Sequence, residues 1–293
     1  MSVAALPPRI RRLVDPDETA RTAARSRIAT AGDYLARLRT FAAVRPAVPV
    51  FSHWSAAAIH GLPSLGPPPS TIHIVGRPGV ADRAWHGIVE HAGRAEEAVI
   101  VRRGLAATSV AATVADLAAR GSFVGGVVAA DHAVSAGPFC GRIPLTTAKE
   151  IEGAAAHLQE PRGRERALEV AAFADGRAES PIESISRAVM SILGLPPPEL
   201  QHPVELPGGT ARVDFAWPEH GVLGEADGEV KLTDRRMRRS RSPMQVLRDQ
   251  VARERAIEQA TGMRVVRWNW DTARRADRLG PLLAPVGLTA LRS

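Results

Sequence analysis

The chain is 293 residues long, 45% hydrophobic and 24% charged, which suffices for two ordinary domains with cores of their own. Its 38 basic residues against 31 acidic ones give a net charge of +7, and nucleic acid is the natural anionic partner of such a chain. No run approaches the ~18 uninterrupted apolar residues of a membrane span, and the single cysteine, Cys140, excludes an intrachain disulfide and a cysteine-built metal cluster.

Met1 to Val14 carries Arg9, Arg11 and Arg12 with no apolar core of signal-peptide length, so a cytoplasmic location is expected. Residues 1 to about 20 read as a poorly ordered start. Thr19 to Val44 reads as helix, with Tyr34, Leu35 and Leu38 as an apolar stripe. Ser52 caps a short helix that ends at Gly61, and its His53 and His60 are expected to be packed and hydrogen-bonded rather than catalytic. Thr71–Val75, Gly87–His91 and Ala98–Arg103 read as three strands, with Gly76 to Gly79 as a turn. Gly104 to Ser109 then leads into a helix over Val110–Ala119, capped by Ser109 and stopped by Gly121, followed by a nearly all-apolar helix from about Val124 to Val134.

The serine-alanine helix ending in Gly61-Leu62-Pro63, the strands, and Gly104-Leu105 with Thr108-Ser109 ahead of Val114-Ala115-Asp116-Leu117-Ala118 resemble the AbiEi-type antitoxins of type IV toxin–antitoxin systems, over roughly residues 48 to 140. The resemblance implies a transcriptional autoregulator and a cognate toxin protein as partner. Residues 1 to 45 show helix but no turn-and-wing pattern, where such antitoxins carry a winged helix-turn-helix. Two further helices, Thr147–Leu158 and Arg164–Ala174, lead to a boundary at Asp175, Gly176 and Arg177.

The next helix, Pro181 to about Leu193, is capped by Ser180, and Glu183 lies inside its first turn. Leu200–Glu205 reads as an edge strand. Arg212 to Gly228 then reads as a hairpin: Val213, Phe215 and Trp217 form one apolar set, Arg212 and Asp214 face the other way, and Pro218 to Gly221 makes the turn. Centring that turn between Glu219 and His220 sets Asp214 opposite Glu225 and Arg212 opposite Asp227. Like charges directly across a ladder destabilise it, so a divalent ion with oxygen ligands, Mg²⁺ or Mn²⁺, is one resolution. The other is an ordinary surface pair between Arg212 and Asp227.

Asp214 followed by Glu225-Ala226-Asp227 resembles the active-site hairpin of the PD-(D/E)xK nucleases, and Val213-Asp214-Phe215-Ala216-Trp217-Pro218 with Glu225-Ala226-Asp227-Gly228 is similar to the very-short-patch-repair (Vsr) endonuclease-like domains. The likeness runs from Glu179 to about Ala284. It implies a DNA endonuclease in which Asp214 and Glu225 hold the metal with help from Glu183, and in which Asp214, Glu225, Asp227 and Lys231 form the catalytic set. Asp227 stands where the wider superfamily has lysine, and Lys231 is the nearest substitute. The same likeness with a degenerate site implies a non-catalytic DNA-binding regulator or antitoxin.

From Lys231 to Arg255 there are nine basic residues against three acidic ones. Arg235, Arg236, Arg238, Arg239, Arg241 and Arg248 are the expected phosphate contacts, with Arg253 and Arg255 also available. Lys231 to Ser242 reads as an exposed basic loop, and Pro243 opens a helix to Ala260 whose buried side would be Met244, Leu247 and Val251. Met263–Trp268 reads as a strand, with Trp268 in the core, and the tail from Asp271 to Leu283 as helix. The expected architecture is α/β in the broad sense, specifically α+β. Residues 1–47 form a helical segment and 48–174 an antitoxin-like, helix-rich α+β domain; 178–293 form an endonuclease-like mixed sheet flanked by helices.

Overall fold

A computed structural model describes residues 31–66, 69–93, 98–136, 143–227 and 243–291. The fold is α+β, with helices beside three sheets, and the chain divides into two compact units at Gly176 and Arg177.

The first unit opens with α1 (Ala31–Ala43), whose Tyr34 and Leu38 are fully buried, and α2 (His53–His60), which Gly61 ends in the left-handed conformation at φ 78°. Five strands follow where three were expected: β1 (Ile72–Pro78), β2 (Arg83–Trp85), β3 (Ile88–Gly93), β4 (Val99–Arg102) and β5 (Leu105–Thr108). β1 continues to Pro78, through most of the Gly76–Gly79 stretch expected to turn, and the turn falls at Gly79, whose φ is 75°. The Gly104–Ser109 run leads into its Ser109-capped helix as expected, but it does so as a strand, β5, paired antiparallel with β4 through a two-residue turn at Arg103-Gly104. β3 sits between β1, to which it is parallel, and β2.

Phe51 joins the two sheets. Its N–H donates to Ala106 O and its C=O accepts from Thr108 N, each at 2.9 Å, while Val75 N reaches Val50 O at 2.8 Å. Its ring lies at the centre of a core with Tyr34, Leu38, Ala56, Ile59, Ile72, Leu105 and Ala107. Four helices complete the unit: α3 (Val110–Arg120), α4 (Phe123–Val134), α5 (Ala148–Ala156) and α6 (Pro161–Phe173). Ser109 Oγ caps α3, Ser122 Oγ caps α4, and Thr147 with Glu150 forms a capping box on α5, so each of these three helix starts has one or two of its orphan N–H groups satisfied locally.

In the second unit α7 (Pro181–Ile192) precedes a four-stranded mixed sheet in the order β6 (Glu199–Leu206), β7 (Gly209–Trp217), β8 (Val222–Asp227), β9 (Arg264–Asn269). β6, β7 and β8 are antiparallel neighbours; β9, reached through α8 (Pro243–Thr261), is parallel to β8. Two short helices, α9 (Trp270–Ala273) and α10 (Ala276–Leu283), finish the fold.

One side of this sheet holds Phe215 and Trp217 stacked near Trp268, whose indole N–H donates to Ser186 Oγ on α7 at 2.8 Å. The other holds Val204, Val213, Ala216, Leu223 and Val265 against Ile257 of α8. Two expectations are corrected here. Val213 packs with Ala216 rather than with Phe215, so the alternation slips at Asp214, beside Gln201, whose φ of 54° is left-handed. Met244 and Val251 are exposed, the Leu247 side chain lies outside the described residues, and Ile257 is the fully buried residue among those described on α8.

Candidate functional site

The hairpin carries the candidate site. Its turn is a single 3₁₀ turn, Pro218–His220, closed by left-handed Gly221, and its ladder pairs Trp217 with Val222, Ala216 with Leu223 and Phe215 with Gly224. This is the register expected from the sequence. At the next step the ladder stops: Asp214 turns its carboxylate across, and Oδ2 accepts the backbone N–H of Ala226 at 2.8 Å. A side chain there does the work of a strand hydrogen bond, which holds Asp214 beside the Glu225–Asp227 segment.

The expected pairing of Arg212 with Asp227 is not formed. Arg212 pairs instead with Glu179 at 2.9 Å. Asp227 accepts from Gln250 Nε2 at 2.6 Å and from Arg267 Nη1 at 3.0 Å.

Glu225, 5% exposed, is the most enclosed carboxylate of the hairpin. Arg253, from α8, donates through Nη1 to Glu225 Oε1 and through Nη2 to the carbonyl oxygen of Arg212. Arg267 stands directly opposite Glu225 in the parallel β8–β9 ladder, with Nη2 at 2.6 Å from Oε2 as an ion pair lacking hydrogen-bond alignment. The same guanidinium reaches Glu254 through Nε at 2.8 Å. Burial works against its charge, but the carboxylates of Glu225 and Asp227 outweigh burial and hold Arg267 above its ordinary pKa. Arg253, expected to be available for phosphate, is thus committed to Glu225, whereas Arg248 and Arg255 are exposed.

Glu183 is buried at the start of α7. Its carboxylate accepts from Ser180 Oγ at 2.5 Å, from Glu179 N at 3.0 Å and from Gln201 Nε2 at 2.8 Å. Burial raises its pKa above the usual carboxylate range, against those hydrogen bonds, and neighbouring Glu179 adds to the rise. Gln201 lies on β6 between Leu200 and His202, which pair with Phe215 and Val213, so its amide ties Glu183 to the strand beside the hairpin.

The donor set tests the expected ion. Mg²⁺ and Mn²⁺ require carboxylate oxygens open to direct contact at about 2.1 Å. Here both Glu225 oxygens face guanidinium groups, and Glu183 has three protein donors. Among the described residues no group of three or more His, Cys, Asp or Glu side chains is placed to hold a metal. As arranged, the oxygens of Glu225 and Glu183 are taken up by protein donors. Lys231, Arg235, Arg236, Arg238, Arg239 and Arg241 lie outside the described residues.

A second cluster, in the first unit, was not read as a site from the sequence. Asp82 Oδ1 accepts Ala92 N at 2.8 Å, and Oδ2 accepts from His91 Nδ1 at 3.1 Å and from Arg120. His91 Nε2 lies 2.9 Å from His73 Nδ1, and His73 Nε2 lies 3.0 Å from Thr71 Oγ1. The carboxylate fixes the tautomers down the chain: His91 donates to Asp82, His73 donates to His91, and Thr71 donates to His73. The His53 ring, on a left-handed backbone at φ 48°, stacks on His91 with centroids 3.5 Å apart. His60 is packed as expected, with Nε2 at 2.8 Å from Thr108 O.

No family model matches the chain, and no solved structure does. It is similar to two uncharacterized proteins from two strains of Mycobacterium tuberculosis, each 52% identical over 77 residues, which are 26% of this chain and 28% of the relative. The chain therefore spans less than a third of the length of the curated relatives it matches.

Proposed function

We propose that this is a cytoplasmic DNA-binding regulator of the antitoxin kind, whose second unit keeps the build of an endonuclease hairpin as a non-hydrolysing scaffold. The observation that carries the reading is the enclosure of Glu225 by Arg253 and Arg267. Guanidinium groups stay charged throughout the physiological range, so the carboxylate is neutralised by the protein itself. Arg248 and Arg255 on α8 and the basic run Lys231, Arg235, Arg236, Arg238, Arg239 and Arg241 supply the phosphate contacts, and a toxin protein is the partner of the first unit in this reading.

Duplex binding then resists chelators and falls with salt, the logarithm of affinity dropping by roughly 0.9 per phosphate neutralised for each tenfold rise in salt. The test is fluorescence anisotropy of a labelled duplex in EDTA and in Mg²⁺, with plasmid nicking measured on the same samples. Equal binding in both, without nicking, supports the proposal; binding that appears only with Mg²⁺ contradicts it.

A second reading, a Mg²⁺- or Mn²⁺-dependent DNA endonuclease, is favoured by one observation. Asp214 meets the Glu225–Asp227 segment in the register such a hairpin requires. In that reading Asp214, Glu225 and Glu183 serve the ion and Asp227 and Lys231 assist, so nicking would vanish in Asp214→Ala.

A further inference from the structure

The outer strand of the first unit carries an inference of its own. β4 pairs with β5 on one side, and among the described residues no strand lies on its other side. Its three apolar residues are all exposed: Val99 by 48%, Ile100 by 36% and Val101 by 75%. An edge strand that is apolar on both faces, with no proline, lysine or bulge to blunt it, is a template for another strand.

The backbone geometry selects the way it pairs. Arg103 and Gly104 both have positive φ, 54° and 76°, as in a type I′ two-residue hairpin. In such a hairpin the flanking pair, here Arg102 and Leu105, exchanges both of its hydrogen bonds, and bonding alternates from there. The peptide groups of Arg102 and Ile100 therefore point toward β5. Those of Val99 and Val101 point outward.

Two copies of β4 laid antiparallel about a two-fold axis at Ile100 bring Val99 of one against Val101 of the other. All four outward-pointing residues then hydrogen-bond across the axis. The two Ile100 side chains meet as a non-hydrogen-bonded pair, the closer of the two antiparallel spacings. The sequence supplies matching charge, with Glu96-Glu97 before the strand and Arg102-Arg103 after it, so antiparallel copies set an acidic end against a basic one. Parallel copies would set like against like.

We propose that β4 is a self-association edge, through which two copies of this chain join their first units into one continuous sheet with Ile100 on the two-fold axis. This is independent of any reading of the hairpin in the second unit. It identifies the occupant of the edge as a second copy through the strand's own symmetry and charge.

The experiment uses the full chain. Sedimentation equilibrium at micromolar concentration is expected to give twice the 31.2 kDa chain mass for the wild type and a single chain mass for Ile100→Lys, with unchanged circular dichroism. Because lysine at this site can disturb the hairpin, a second variant carries the register. In a Cys140→Ser background, Ile100→Cys is expected to form a covalent dimer on mild oxidation, since opposed cysteines at a non-hydrogen-bonded pair meet disulfide spacing. A wild type that is monomeric at these concentrations, a dimer that survives Ile100→Lys, or an Ile100→Cys variant that does not cross-link would each overturn the proposal.

Discussion

Replacing Arg267 by methionine removes the group that touches three carboxylates at once, and the cost can be apportioned from their exposures. Arg267 is 20% exposed and Glu225 only 7%, so this pair is enclosed on both sides, and breaking it costs about 3 kcal/mol even with Arg253 still in place. Asp227 and Glu254 are roughly a third exposed, and their pairs add no more than about 1 kcal/mol each. Arg253→Met, at a guanidinium whose side chain is 40% exposed, should cost about 1 kcal/mol or less. Adding Glu225→Gln to Arg267→Met removes the stranded charge and should recover about 2 kcal/mol. The assay is hydrogen exchange of the β8 and β9 amides across a urea series, which reads this unit separately from the other. Equal losses for Arg253→Met and Arg267→Met, or no recovery with Glu225→Gln, would refute the view that Glu225 is held by buried ion pairing.

Further expectations concern the packing and the histidine chain. His73 is lowered to about 4 from 6.5, by burial first and then by His91 and Arg120. Because the unfolded chain takes up this proton more readily, its contribution is full above about pH 6.5 and is lost as pH falls toward 4. The shift corresponds to about 3 kcal/mol, and His73→Gln should flatten that part of a stability–pH curve measured by thermal melting. Gly224→Ala would place a Cβ 2.6 Å from Trp268 Cη2 and 3.2 Å from Phe215 Cβ, so an overpacking cost of about 1–3 kcal/mol is expected, with a change in Trp268 emission. Thr147→Ala removes the capping box of α5 and should cost about 1 kcal/mol, seen as faster amide exchange in its first turn.

The hairpin was legible because alternation and a Pro-Glu-His-Gly turn constrain register tightly; the observed pairs Phe215–Gly224 and Trp217–Val222 follow from them. Its partners were not, because Arg253 and Arg267 reach Glu225 only through the parallel crossover of α8 into β9. One signal was available: Arg267 interrupts the apolar run Val265-Val266-Trp268, and a charge inside a buried strand needs a counter-charge. The slip at Asp214 had no such signal, since it depends on left-handed backbone at Gln201, a residue with no preference for it. In the first unit, Arg103-Gly104 after Val99-Ile100-Val101 marks a hairpin, but the alanines of β5 have helical propensity, and tertiary pairing with Phe51 overrode it. On α8 the arginines interrupt the pattern, so Met244 and Val251 look like core from the sequence although, among the helix residues whose burial is described, Ile257 is the fully buried one.

The measurement closest to the central claim is calorimetric titration of Mg²⁺ and Mn²⁺ into the full chain, wild type beside Asp214→Ala, with duplex binding and plasmid nicking followed in the same buffers. We expect no stoichiometric ion binding, duplex binding that persists in EDTA, and intact plasmid for both proteins. One ion bound per wild-type chain and lost in Asp214→Ala, together with nicking that the substitution abolishes, would contradict a guanidinium-filled, non-hydrolysing site.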